Sequence, residues 1–158
     1  MESDYYSKIA DGYDELYGSE QAEKLGIISK YIGNSKRMLD IGAGPGISHK
    51  FFPDAILLDQ SFALLKKASG RRVCCVAEHL PIENNSINCI ISVTALHHTD
   101  IDVVISEFKR VMKPNASMAI TLLKYSNNLG SMMKKLISNF RLKKIDCGKD
   151  ILLFKRVK

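Results

Sequence analysis

The chain has 158 residues, 46% hydrophobic and 25% charged, a composition ordinary for one soluble globular domain. No apolar run is long enough to span a bilayer, and the start MESDYYSKIADGYDE is too acidic for a secretory leader. A cytoplasmic protein without membrane insertion is therefore expected.

Ser19 is placed to cap a helix over roughly 20–32, with Glu20 and Glu23 in its first turn. Ala22, Leu25, Ile28 and Ile32 form the apolar stripe, and Gly33 ends it. A buried strand (37–42) follows, then a glycine loop, then a short helix that Pro53 stops. Ala55 to Leu58 reads as a second strand ending at Asp59. Ser61 to Ser69 reads as a small helix with Phe62, Leu65 and Ala68 inward, closed by Gly70. Arg72 to Ala77 is the third strand, residues 79–86 a polar loop around Pro81, and Ile87 to Thr94 a fourth strand, apolar almost throughout.

Thr99, with Asp102 three residues on, reads as a capping box opening a helix. Its stripe is Ile101, Val104, Ile105, Phe108, Val111 and Met112, and Pro114 ends it. Ser117 to Leu123 is the fifth strand, and a helix over roughly 128–139 packs Leu129, Met132, Met133, Leu136 and Ile137. Leu142 to Cys147 and Ile151 to Val157 form a hairpin around Gly148-Lys149. The four cysteines lack C-x-x-C spacing; Cys74, Cys75 and Cys89 lie in apolar strand-like runs and read as buried free thiols. The alternation predicts an α/β fold over residues 1–158 as one domain. It is a doubly wound, Rossmann-like, mostly parallel seven-stranded sheet with a C-terminal antiparallel hairpin and helices on both faces.

The segment Met38-Leu39-Asp40-Ile41-Gly42-Ala43-Gly44-Pro45-Gly46 carries the chemistry. Glycines at every second position let backbone turn sharply and approach a ligand closely. A helix behind such a loop would aim free N–H groups into it. The nicotinamide pattern G-x-G-x-x-G fails, because Ile47 stands where its third glycine belongs. Asp40 also repels a pyrophosphate and suits a ligand with an ammonium group, such as S-adenosylmethionine. Asp59, at the end of the second strand, can accept hydrogen bonds from both hydroxyls of a ribose; it can equally cap the next helix.

LDIGAGPG resembles motif I of the class I S-adenosylmethionine-dependent methyltransferases. Further segments resemble the family in the same order. Leu57-Leu58-Asp59-Gln60-Ser61 is similar to its ribose-binding turn, and residues 76–88 to its D-A-x-x-L-P-F-x-x-x-S-F-D stretch. Ser92 to His98 is similar to motif IV, and residues 105–115 to its E-x-x-R-V-L-K-P-G-G helix end. Ala10 to Tyr17 looks like the A-x-x-Y-D segment of the quinone-biosynthesis C-methyltransferase branch.

The resemblance implies that Asp40 holds the methionyl ammonium and that Gly42, Ala43 and Gly44 hold its backbone-facing portion. It places Asp59 on the ribose and Gln60 along the adenine. Ala77 would meet the adenine ring through its backbone, and Val93 would stand beside the sulfonium. Tyr13, in an N-terminal covering segment over residues 1–20, would close over the cofactor. Val76 replaces the family's adenine-binding aspartate, which weakens binding by about 0.5–1.5 kcal/mol, with Glu78 a possible substitute. No metal is implied.

Methyl transfer from a sulfonium needs in-line approach and exclusion of water more than a nucleophilic side chain. A general base is needed only if the acceptor must lose a proton, and His97 or His98 could serve; the alternative is a loop histidine that lines the pocket. The expected reaction is methyl transfer to a small-molecule acceptor, giving S-adenosylhomocysteine.

Charge leaves a second option open. Residues 1–30 carry three basic and seven acidic side chains, whereas residues 113–158 carry eleven and two, within a net charge of +6. That third could meet RNA or protein as substrate, or its lysines could solvate an outer helix and an edge hairpin. Their interleaving with apolar residues favours the second. A module that binds the cofactor without turnover is a further alternative; a nicotinamide oxidoreductase is disfavoured by Asp40.

Overall fold

A computed structural model of the chain describes residues 13–33 and 35–157, with only the backbone of residues 13–16. Its strands are β1 (Met38–Ile41), β2 (Ala55–Asp59), β3 (Arg71–Cys74), β4 (Ile87–Val93), β5 (Met112–Leu123), β6 (Lys143–Cys147) and β7 (Asp150–Lys155). They form one sheet in the order β3-β2-β1-β4-β5-β7-β6. The first five run parallel, and β7 runs antiparallel to both of its neighbours. This is the doubly wound, mostly parallel sheet that the alternation predicts. Its order reverses between β1 and β4, where the carboxyl ends of two adjacent strands diverge and leave a crevice.

Among the described residues, four helices flank the sheet: α1 (Tyr13–Tyr31), α2 (Phe62–Leu65), α3 (Ile101–Val111) and α4 (Leu129–Phe140). The two-residue alternation of strands sorts the core into two layers. Leu39, Ile41, Ile90, Met118, Ile120 and Leu153 point to the layer under α3 and α4. Met38, Leu57, Cys89, Ile91, Ala119 and Leu152 point to the layer under α1 and α2. By the same alternation Asp40, Thr121 and Asp150 stand on the α1 side. No described helix is long and apolar enough to cross a membrane.

Local expectations are corrected where tertiary packing overrides propensity. The first helix starts at Tyr13 instead of near residue 20, so Gly18 and Ser19 lie inside it and Ser19 is no cap. The helix after the glycine loop is only a 3-10 turn, Ile47–Lys50. α2 stops at Leu65, and Phe62 is 64% exposed, not inward. β3 ends at Cys74, because the chain turns there towards the crevice. It is an edge strand, so Cys74 is exposed; Cys75 is half-buried, and only Cys89 of the three is fully buried. Asp100, not Thr99, caps α3, accepting from the N–H groups of Asp102 and Val103. Pro114 lies inside β5, at the register shift between the pairs Ile87–Met112 and Cys89–Ser117, where a missing N–H breaks no ladder bond.

The last turn of α3 fixes the loop after β3. Glu107 accepts from the Leu80 N–H at 2.8 Å, and Arg110 donates to the carbonyls of Leu80 and Ile82 at 2.8 and 2.7 Å. Arg110 also pairs with Glu107 at 2.7 Å and holds its carboxyl down at about 2. Arg110→Ala is expected to destabilise the fold by roughly 1–3 kcal/mol, since it takes the side-chain donor from the Ile82 carbonyl and one of the two donors from the Leu80 carbonyl. Urea unfolding measures this, and a midpoint unchanged from the parent would contradict it.

Candidate functional site

The crevice between β1 and β4 opens into a cleft at the carboxyl ends of the strands, where open α/β sheets hold their ligands. Its walls come from the carboxyl ends of β1, β2 and β4 and from the segment after β3. Gly42, Gly44, Asp59, Gln60, Ala77, Glu78 and Val93 all line it, as do Val76, Thr94, Ala95 and His98. Ala43 lines a smaller cavity beside it, together with Gln21, Leu25 and Ser48; Gly42 and Val93 border both. The side chain of Tyr13 and residues 1–12 lie outside the described residues.

The glycine loop spends its donors inside the protein, chiefly on the end of β2. Gly42 and Ala43 donate to the Leu58 carbonyl at 2.8 and 3.0 Å, Gly44 to Asp59 Oδ2 at 2.8 Å, and Gly46 to the Ala43 carbonyl at 3.0 Å. These four N–H groups are committed within the fold. What the loop presents is backbone stripped of side chains. Gly42 has φ +74, and a Cβ there would stand 2.2 Å from the Ala95 Cβ on the opposite wall. Gly42→Ala is expected to destabilise by roughly 1–3 kcal/mol through overpacking and to narrow the cleft. Unfolding and ligand titration of this one variant check both effects.

Asp40 departs most from expectation. It is only 3% exposed, accepts a hydrogen bond from the Ser48 hydroxyl, and does not line the cleft. Its place on the α1 side of β1 carries it under the loop, so it ties the strand to the Ile47–Lys50 turn. Burial pushes its carboxyl up to about 7; Ser48 opposes the rise and the charge of Asp59 adds to it. A carboxyl raised in the folded state favours folding when protonated. That stabilisation is complete below about pH 4 and is lost as pH rises through 7. Asp40→Asn retains a partner for Ser48 and should flatten this slope, as unfolding series between pH 4 and 8 would reveal.

Asp59 sits where expected. Oδ2 accepts from Gly44 N–H at 2.8 Å and Oδ1 from Ser61 N–H at 2.7 Å, so one carboxylate braces the loop and starts α2. Burial raises its affinity for a proton, against the pull of those two N–H groups. Each oxygen keeps a further acceptor site, and Asp59 lines the cleft. Glu78 Oε1 accepts from Asp100 N–H at 3.0 Å, tying the rim to the start of α3. Val76, 38% exposed, offers an apolar wall where the family pattern has an acid.

The two histidines separate. His98 lines the cleft, whereas His97 turns away: its Nε2 accepts from Leu123 N–H at 3.2 Å and its Nδ1 is buried. Burial lowers its proton affinity, and His98 adds to the effect. His97 braces the end of β5 and does not reach the cleft as a base.

Sequence reasoning missed a buried polar group in contact with the cleft residue Thr94. Lys24, 7% exposed, pairs with the fully buried Asp150 at 2.6 Å and with Glu20 at 2.8 Å. The signal was present: Lys24 stands four and eight residues before Ile28 and Ile32, inside the buried stripe. Among the described residues no cluster of His, Cys, Asp and Glu could hold a metal ion.

Residues 39–120 match the family described as methyltransferase domain. A Methanocaldococcus jannaschii protein, MJ1252, is 33% identical over 126 residues, covering 75% of this chain and 50% of its own length. The chain thus spans about half of that relative. The Bacillus subtilis YcgJ structure aligns with a TM-score of 0.67 at 23% identity over 80% of this chain and 70% of its own. A Streptomyces coelicolor geranyl diphosphate C-methyltransferase, solved with Mg2+, geranyl diphosphate and S-adenosylhomocysteine, aligns with a TM-score of 0.64 at 16% identity over 82% and 63%. At these identities the structures share the fold.

Proposed function

The chain belongs to the methyltransferase domain family, whose class I members its motifs resemble, and on that premise we propose that it transfers the methyl group of S-adenosylmethionine to a small-molecule acceptor. One observation carries the reading. Asp59 ends β2 and lines the cleft, its carboxylate braced by two backbone N–H groups with one acceptor site left on each oxygen for the hydroxyls of a ribose. Val76, Leu80 and the backbone of Ala77 form a flat, largely apolar wall next to it, suited to a purine. Ala43, Gln21 and Ser48 extend the space past Gly42 for an aminoacyl tail.

When bound, the sulfonium supplies the electrophilic methyl group. The protein's own part is to orient and to exclude water. Gly42 lets the chain pass close to the ligand, and Asp59 fixes the sugar. Val93, Thr94 and Ala95 form the floor on which the acceptor must approach in line. His98 is the cleft histidine able to take a proton when the acceptor requires it.

The basic C-terminal third gives less support to RNA or protein as acceptor. Within it, Lys124 pairs with Asp146 and Lys135 with Asp102, each at 2.6 Å. These lysines hold helices and the hairpin together.

The test uses cofactor labelled on the transferable methyl, incubated with small-molecule, RNA and protein fractions of the source cell. Label in the small-molecule fraction, lost in Asp59→Ala, is the expected result. Label in RNA or protein overturns the acceptor class. Cofactor binding with no label in any fraction overturns turnover itself.

A further inference from the structure

Thr94 is the residue in the cleft whose backbone is held against its own preference. It follows the last residue of β4 and has φ +54, a conformation that strongly disfavours a β-branched side chain. Surrounding bonds impose it. The Thr94 N–H donates to both the carbonyl and the hydroxyl of Thr121, at 3.2 and 3.0 Å. Thr121 in turn is fixed in the core of β5, 2% exposed. A position over-determined in this way points to what its side chain must reach.

That side chain is surrounded by donors. Gln21 Nε2 and Lys24 Nζ both donate to Thr94 Oγ1, each at 3.4 Å. A hydroxyl has two lone pairs and one proton. With both lone pairs turned towards α1, the proton is directed elsewhere. Among the described residues no acceptor takes it, while Thr94 lines the large cleft beside Gly42 and Val93, where the two cavities meet. Lys24 cannot move aside, because Asp150 and Glu20 hold it from below. Its charge also polarises the Thr94 O–H bond and strengthens what the hydroxyl donates.

We propose that Thr94 is an obligate hydrogen-bond donor to an oxygen of the ligand in the cleft, with Gln21, Lys24 and Asp150 as the residues that position its proton. The proposal rests on the cleft being the S-adenosylmethionine site. Two sources could supply the oxygen: the methionyl carboxylate of the cofactor, or the molecule to be methylated.

Calorimetric titration separates them. S-adenosylhomocysteine carries the carboxylate, and 5′-methylthioadenosine lacks the whole aminoacyl tail. If the carboxylate is the partner, Thr94→Val weakens S-adenosylhomocysteine about tenfold and leaves 5′-methylthioadenosine unchanged. If the acceptor is the partner, both ligands bind as to the parent, while labelled transfer falls about tenfold. In either case Thr94→Ser, which keeps the hydroxyl, restores the parent value. The double substitution Lys24→Met with Asp150→Leu, which leaves no buried charge unpaired, should reproduce part of the Thr94→Val loss.

The proposal is overturned if Thr94→Val binds both ligands and transfers label like the parent. It is also overturned if Thr94→Ser is as impaired as Thr94→Val, which would trace the effect to backbone conformation. A parent that binds neither ligand refutes the cofactor reading instead, so the two failures are distinct.

Discussion

Asp59→Ala is expected to weaken S-adenosylhomocysteine binding by about 100-fold or more. On the proposed reading the substitution removes the acceptor of two ribose hydroxyls, and hydrogen bonds to a charged group contribute about 1.5–3 kcal/mol each. It also releases the Gly44 N–H and the Ser61 N–H, so the glycine loop and the start of α2 lose their common brace. Asp59→Asn should fall between the two, since it offers one acceptor oxygen and turns an amine towards the other N–H. Acidity gives an independent check. Burial lifts the Asp59 carboxyl above its ordinary range, so affinity should begin to fall at a higher pH than an exposed aspartate would allow. Titration calorimetry of parent and variants across pH 4–8 measures both effects. Equal affinity of Asp59→Ala and parent would remove Asp59 from the site.

The second large effect concerns stability. Lys24→Met alone should destabilise the fold by about 3–5 kcal/mol, because it strands a fully buried carboxylate. For a domain of this size that amounts to a Tm lower by roughly 10 °C. Adding Asp150→Leu should recover most of the loss, since removing both charges also removes the need to desolvate them. The two sites are far apart in sequence but in contact, so their effects must be non-additive. Thermal unfolding of the two singles and the double closes the cycle. Additive losses would show that Lys24 and Asp150 act independently.

The contrast between Asp59 and Asp40 shows what the sequence could convey. The place of Asp59 was legible because it follows from position alone: an acid at the carboxyl end of a strand beside the topological switch. Asp40 has the same chemistry and lies as close to the glycine loop. Its fate depends on which face of β1 it occupies, and β1 is apolar on both faces, so no alternation marks the side. The strands and their order were readable for a related reason, since long apolar runs bounded by Gly, Pro and Asp leave few alternatives. The start of α1 was not. Its first turns carry tyrosines, acids and Gly18, and the helix has almost no amphipathic signature along its full length. Lys24 was hidden because its partner is supplied by the other end of the chain. Side-chain direction separated His97 from His98, and adjacent residues in one turn differ in nothing that spacing reveals.

Both borders of the sheet carry adjacent cationic residues: Arg71 and Arg72 on β3, and Lys143 and Lys144 on β6, all exposed. An open strand is a template on which another chain can add, and the growth of such stacks is a general hazard for open sheets. Like charges repeated on both borders repel a second molecule approaching in register, whichever edge it offers. Part of the excess of lysine in the C-terminal third is then a guard against self-association. That guard is independent of what the cleft binds.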